Sequence, residues 1–328
     1  KNAIMKKLHA VETLGGTTVI CSDKTGTLTQ NQMTIVKMYV PGREISVEGE
    51  GYKPVGNMYE GGKVLNLEQE PAVRRLLEVQ ALCNDARLEQ SAGAAAEEWR
   101  IIGDPTEGAM IVAAAKAGIK REEINGSYPR INEIPFDSER KLMTTFHSTG
   151  EGAILACTKG APDILIERCT KIMRSDGTIE AITEEDKKTA LEENHKLASE
   201  ALRVLAMAFR QVDSVKDMPT SEEYERDLVF CGLVGMIDPP RPEAIEAVKV
   251  CKTAGIRVVM ITGDYKDTAA AIAKQLGIIE DSDQVLDGTA LNRLSDEEFA
   301  EAVKTVNVYA RVSPEHKVKI VQAIKKHG

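Results

Sequence analysis

The chain has 328 residues, 42% of them hydrophobic and 28% charged, with a formal net charge of −9. That length suits two ordinary globular domains, and the acidic balance argues against nucleic acid or an anionic membrane as the main partner. No apolar run approaches the roughly 18–20 residues that span a bilayer, and there is no signal peptide. The six cysteines (Cys21, Cys83, Cys157, Cys169, Cys231, Cys251) form no CxxC pair. They read as reduced, buried thiols in a cytosolic setting, with no metal cage.

The first predicted strand is the run Thr17-Thr18-Val19-Ile20-Cys21. Asp23-Lys24-Thr25-Gly26-Thr27-Leu28-Thr29-Gln30-Asn31 follows, placing a carboxylate where a buried strand ends and a Gly- and Thr-rich turn begins. In open α/β sheets, ligands bind beyond the carboxyl ends of the strands. A carboxylate there can attack a phosphoryl group and become an aspartyl phosphate. Lys24 supplies charge, and Thr hydroxyls and loop N–H groups can hold phosphate oxygens. A lone Asp at such a position more often marks only a solvated turn.

Residues 39–235 have another texture. Val47–Tyr52 is Gly-rich and strand-like. Helices are expected near 71–83 and 106–118, strands near 142–147 and 153–158, a charged helix over 184–202 and a strand over 204–210. Residues 90–98 read as a loose loop and 218–225 as a surface connection.

From Pro239 onward, helix and strand alternate. Pro242 opens a helix with Ala244, Ile245 and Val248 on its apolar stripe, and Gly255 stops it. The run 256–262 is nearly all apolar, as in strands buried on both faces of a parallel sheet, and ends at Thr262-Gly263-Asp264. A helix over 267–276 closes at Gly277, a strand covers 306–310, and Ser313-Pro314-Glu315 opens a last helix. With the strand before Asp23 this is a βαβ pattern built from both ends of the chain. The expected fold class is α/β: a discontinuous parallel-sheet domain of residues 1–38 and 236–328, with an α+β domain, 39–235, inserted.

The nonapeptide DKTGTLTQN resembles the phosphorylation motif of P-type ATPases, ion pumps that run through a phosphorylated Asp. The resemblance makes Asp23 the nucleophile, with Lys24 and Thr27 shaping its turn. Thr262-Gly263-Asp264 is similar to the second phosphate-holding motif of the haloacid-dehalogenase-like superfamily, whose Rossmann-type sheet the first domain would share. Ala310-Arg311-Val312-Ser313-Pro314-Glu315-His316-Lys317 matches the third motif, whose Lys pairs with the phosphoryl group. That role falls to Lys317, with Arg311 beside it. Phosphatases of the superfamily carry a general acid–base Asp where Thr25 stands here. Its loss typically costs on the order of 100- to 10,000-fold in turnover and favours a long-lived acyl phosphate.

In the insert, Gly103–Ala109 resembles the family's helix-opening motif and Pro135–Lys141 its adenine-stacking segment. Thr158–Pro162 resembles its KGAP motif, and Leu202–Ala206 the strand with a nucleotide-contacting Arg. These matches imply that Phe136 stacks on adenine, Glu107 takes its amine, and Lys141, Lys159 with Gly160, and Arg203 meet the polyphosphate. Ser138 stands where calcium pumps of muscle reticulum have an Arg. Asp238-Pro239-Pro240-Arg241 resembles the family's hinge.

The resemblance covers the whole chain, beginning with Lys1–Leu14, similar to the stretch leaving a membrane helix. It implies the cytoplasmic headpiece of a calcium-type cation pump, at the cytoplasmic face of a membrane and itself soluble. ATP would be its substrate, Mg²⁺ its cofactor, and its own membrane and actuator domains its partners. No nucleic acid is expected. No GDGxNDxP motif occurs, so the expected metal site is partial: the Asp23 carboxylate and the Thr25 carbonyl. Impaired phosphorylation is expected from it. Two other readings stay open from the residues: a soluble phosphohydrolase of the same superfamily, and a nucleotide-binding module without turnover.

Overall fold

A computed structural model describes residues 15–90, 99–150, 152–281 and 284–327. The Lys1–Leu14 stretch and nearly all of the loop expected at 90–98 lie outside the described residues. The chain divides into two compact units, Lys1–Asn31 with Pro239–Gly328, and Gln32–Asp238. Residues 32–38 and 236–238, grouped above with the first domain, fall in the second unit. Their strands explain why: Thr34–Val40 is hydrogen-bonded along Leu228–Ile237.

Among the described residues the first unit is built on four parallel strands in the order Val19–Asp23, Arg257–Ile261, Val308–Ala310, Val285–Asp287. Val258, Val259, Met260 and Ile261 are all buried, as an apolar inner strand of a parallel sheet requires. On one face Val259, Ile261 and Tyr309 pack with Phe299 and Val303 of the helix Asp296–Thr305 and with Ile320 and Ile324 of Pro314–His327. Arg257 ties the sheet to a helix end, its guanidinium donating to the Val303 and Val306 carbonyls at 2.8 and 2.5 Å and to Asn307 Oδ1 at 2.6 Å. Val19–Asp23 is not the buried strand expected. It ends the row of described strands, with a strand neighbour on one side only, so Ile20 and Cys21 are exposed. Cys251 is only partly buried, whereas Cys83, Cys157, Cys169 and Cys231 are buried free thiols as expected.

The second unit carries a mainly antiparallel sheet centred on Leu228–Ile237, every residue of which is buried. On one side it continues through Thr34–Val40 and Arg43–Val47, and on the other through Arg203–Val212, Ile154–Gly160, Leu142–Ser148 and Arg130–Asp137. The helices Pro71–Leu82 and Pro105–Lys116 lie over it, burying Leu76, Leu77, Val79 and Met110 against Met38, Cys157 and Met207. The strand-like reading of Val47–Tyr52 holds only at Val47. Beyond it the Glu48 and Gly49 carbonyls accept from Lys116 Nζ at 2.6 and 3.0 Å rather than joining a ladder.

Candidate functional site

Two clusters gather the predicted residues, one in each unit. In the first, Asp23 ends its strand, pairing in register with Ile261, the residue before Thr262. The next five residues form a tight turn, closed by the Thr29 N–H donating to the Lys24 carbonyl at 3.0 Å. Thr25 is extended and Gly26 is left-handed, with φ of 74°, a value that L side chains rarely adopt. Thr29 Oγ1 donates to the Lys24 carbonyl at 3.2 Å and accepts from the Gly26 N–H at 3.3 Å. Arg241, expected in a hinge, also holds this turn: its backbone N–H donates to the Leu28 carbonyl at 2.8 Å and its guanidinium to Gly26 at 3.3 Å. Pro239 and Pro240 lie beside it, bonded to Gln30 and bridged to Thr29, while Asp238 accepts from the Gln32 N–H.

Two ion pairs organise the charges. Lys24 is only 5% exposed and its ammonium pairs with the Asp264 carboxylate. Lys317, in the first turn of Pro314–His327, pairs with Asp23. Thr262 is buried, and its hydroxyl accepts from the Asp264 N–H at 3.1 Å, which shapes the Thr262-Gly263-Asp264 turn. Thus Asp23, Lys24, Asp264 and Lys317 are bound into one cluster. Thr25, Thr27 and Gly263 are exposed at its rim. Arg311 takes another direction: its guanidinium lies 3.7 Å above the Tyr265 ring, and only its backbone N–H reaches Asp264, at 2.9 Å.

The second cluster lies at the ends of neighbouring strands. Phe136 sits near the end of Arg130–Asp137 and is 61% exposed, an unusual setting for a large aromatic. Gly160 ends Ile154–Gly160 and pairs with Leu142; the Ala161 N–H donates to the Lys141 carbonyl at 3.1 Å. A Cβ on Gly160 would stand 2.2 Å from that carbonyl oxygen, so the close approach of the two strands requires glycine. Lys159 is buried, its ammonium donating to Glu107 Oε1 at 2.5 Å and to the Cys83 carbonyl at 2.7 Å. Glu107 stands in the first turn of Pro105–Lys116. Pro105 opens that helix, and the Asp104 carboxylate caps it through the N–H groups of Thr106 and Glu107. Arg203 begins Arg203–Val212 and donates to Thr106 Oγ1 at 3.0 Å.

Sequence reasoning missed the supports of this cluster. The Arg140 guanidinium pairs with Glu225, whose side chain is fully buried although 218–225 read as a surface connection. Glu225 lies three residues before the central strand Leu228–Ile237, and the fold covers it there. No local pattern marks either residue; only a buried carboxylate's need for partners does.

Among the described residues no three or more His, Cys, Asp or Glu side chains converge on a metal site. The Asp23 carboxylate and the Thr25 carbonyl offer hard oxygen donors of the kind Mg²⁺ takes while keeping most of its waters.

The sequence model described as "P-type ATPase, cytoplasmic domain N" matches residues 72–243, more than half of the chain. Over its whole length the chain is 43% identical to "Calcium-transporting ATPase" of Bacillus subtilis (strain 168) and 46% identical to "Calcium-transporting ATPase 1" of Bacillus cereus. It covers 36% and 34% of those proteins. It is 41% identical to "Cation-transporting ATPase pma1" of Synechocystis sp., again over the whole chain and 36% of the relative. The chain therefore spans about a third of the length of these curated relatives.

Proposed function

The chain belongs to the P-type ATPase family, and on that premise we propose that it is the phosphorylation and nucleotide-binding headpiece of an ATP-driven cation pump, with Ca²⁺ as the transported ion. The observation that carries this reading is the Asp23 cluster: a solvent-accessible carboxylate at a parallel strand end, paired with Lys317 and flanked by the Lys24–Asp264 pair. The first unit acts as a haloacid-dehalogenase-like phosphorylation domain and the second as the nucleotide-binding domain. The setting is the cytoplasmic face of a membrane; among the described residues no helix is long and apolar enough to cross one.

In the proposed reaction an Asp23 Oδ attacks the γ-phosphorus of ATP. The bond from that phosphorus to the β,γ-bridging oxygen breaks, and ADP leaves with the electron pair. Lys317 exchanges its contact with the carboxylate for the phosphoryl oxygens, and the Thr262 hydroxyl and turn N–H groups hold them. Mg²⁺, held by the Asp23 and Thr25 oxygens, would supply neutralising charge. Thr25 offers no general acid–base carboxylate, which sets the reading apart from a phosphohydrolase.

In the second unit, Phe136 presents its exposed face to adenine. Glu107, oriented by Lys159, accepts from the amine, while Lys141 and Arg203 meet the phosphates. One stacked base and few charge contacts suggest millimolar to high-micromolar affinity, roughly 4–6 kcal/mol. Calorimetric titration of ATP into wild type, Phe136→Ala and Lys159→Ala tests the pocket, and unchanged binding in both variants would overturn it. Labelling with γ-labelled ATP, in a chain extended to the length of its relatives, tests the nucleophile. A hydroxylamine-sensitive label should form and be absent from Asp23→Asn. A label that survives that substitution refutes the assignment.

A further inference from the structure

Phe136 and Lys141 bracket a turn whose shape is set from beneath. The Asp137 carboxylate accepts from the N–H groups of Glu139 and Arg140 at 3.0 and 2.8 Å, and the Lys141 N–H donates to the Asp137 carbonyl at 2.6 Å. Lys141 itself is left-handed, with φ of 55°. From this turn Arg140 reaches inward. One arm of its guanidinium pairs with the buried Glu225 carboxylate, and the other donates to the Pro135 carbonyl, the residue before Phe136, at 2.5 Å.

Glu225 is fixed in turn. Thr144 Oγ1 donates to one of its oxygens at 2.9 Å and Ser221 Oγ to the other at 2.5 Å, and Arg168 lies 3.6 Å away. Thr144 belongs to Leu142–Ser148, so the carboxylate is anchored on the strand next to the turn. A buried charge held by this many partners has one geometry, and a planar guanidinium passes that geometry to the Pro135 carbonyl.

Granting the nucleotide reading of the second unit, on which this rests, we infer that Arg140 and Glu225 are positioning residues for nucleotide binding: their buried ion pair holds the exposed Phe136 ring in the orientation that receives the base. Neither residue touches the nucleotide. Arg140 needs both arms at once, one for Glu225 and one for Pro135. A lysine has a single point of attachment and keeps only the first.

The test is titration of ATP and of inorganic tripolyphosphate, which has no base, into wild type, Arg140→Lys, Glu225→Gln and Phe136→Ala of the full chain. Thermal melts accompany each titration. Arg140→Lys and Glu225→Gln should weaken ATP by about 3- to 10-fold, the span of one lost aromatic contact, and leave tripolyphosphate unchanged. A merely structural role would weaken both ligands in proportion, or neither, and that result overturns the inference. Should Glu225→Gln fail to fold, Arg140→Lys, which keeps a cation opposite the carboxylate, decides alone. Phe136→Ala separates the two claims. If it leaves ATP affinity unchanged, the nucleotide reading itself fails. If it weakens ATP while Arg140→Lys does not, only the positioning role fails.

Discussion

Gly160→Ala puts the tightest contact of the second cluster under strain. The new Cβ would stand 2.2 Å from the Lys141 carbonyl oxygen, 2.5 Å from Leu142 Cδ2 and 3.0 Å from Leu142 Cα. Comfortable contacts are about 1 Å longer than the first two. Two of the three neighbours are backbone, and the Leu142 side chain is fully buried, so none can swing aside. The strand ends must part, and the Ala161 N–H bond to the Lys141 carbonyl, now 3.1 Å, stretches out of range. Overpacking costs about 1–3 kcal/mol and the lost bond about 1 kcal/mol, together about 2–4 kcal/mol. In a unit of this size that lowers the melting temperature by about 5–15 °C. ATP affinity should fall as well, because Lys141 moves with its carbonyl. Differential scanning calorimetry measures the first and titration the second. Gly126→Ala is the control: nothing lies within 4 Å of its Cβ position, in the helix Arg121–Ser127, and it should be neutral or slightly stabilising. A Gly160→Ala protein that melts with wild type would refute the reasoning.

Two further perturbations test other parts of the molecule. His147 is buried, with Nδ1 against the Tyr128 carbonyl at 3.0 Å and Nε2 against Thr145 Oγ1 at 2.8 Å; burial lowers its pKa to about 4. The unfolded imidazole, near 6.5, therefore takes up its proton first as the pH falls. The stabilising contribution is complete above about pH 6.5 and is lost progressively towards pH 4, by on the order of 3 kcal/mol. Denaturant melts across that window should show the slope in wild type, and His147→Gln should flatten it; an equal slope in both would assign it to other groups. Lys24→Met removes a buried ammonium but leaves Asp264, about one-third exposed, able to rehydrate, so the stability loss should stay near 1–2 kcal/mol. Phosphoryl labelling should fall much further, and a variant that labels like wild type would show that Lys24 serves only the fold.

Much of the first cluster was legible in the sequence because its chemistry is local. The nonapeptide at Asp23, the Thr262-Gly263-Asp264 turn and the run ending at Lys317 each carry their spacing within one strand-to-helix junction. The parallel strand at 257–261 could be read from a nearly all-apolar run, and Pro242 marks a helix start whatever surrounds it. Helix ends and buried parallel strands are set by neighbours in the chain, which a sequence displays.

What the sequence did not disclose depends on residues far apart along it. The exposure of Val19–Asp23 follows from its place at the end of the row of described strands, which composition cannot reveal. Arg140 and Glu225 are separated by 85 positions, and Lys159 and Glu107 by 52. Neither pairing is visible in the sequence; the fold brings each charge beside its partner. Arg311 belongs to a matching motif, yet its guanidinium turns to Tyr265, because side-chain direction depends on the ring the fold places nearby. Burial of a charge is costly unless a partner is supplied, and only the tertiary structure decides which partner that is.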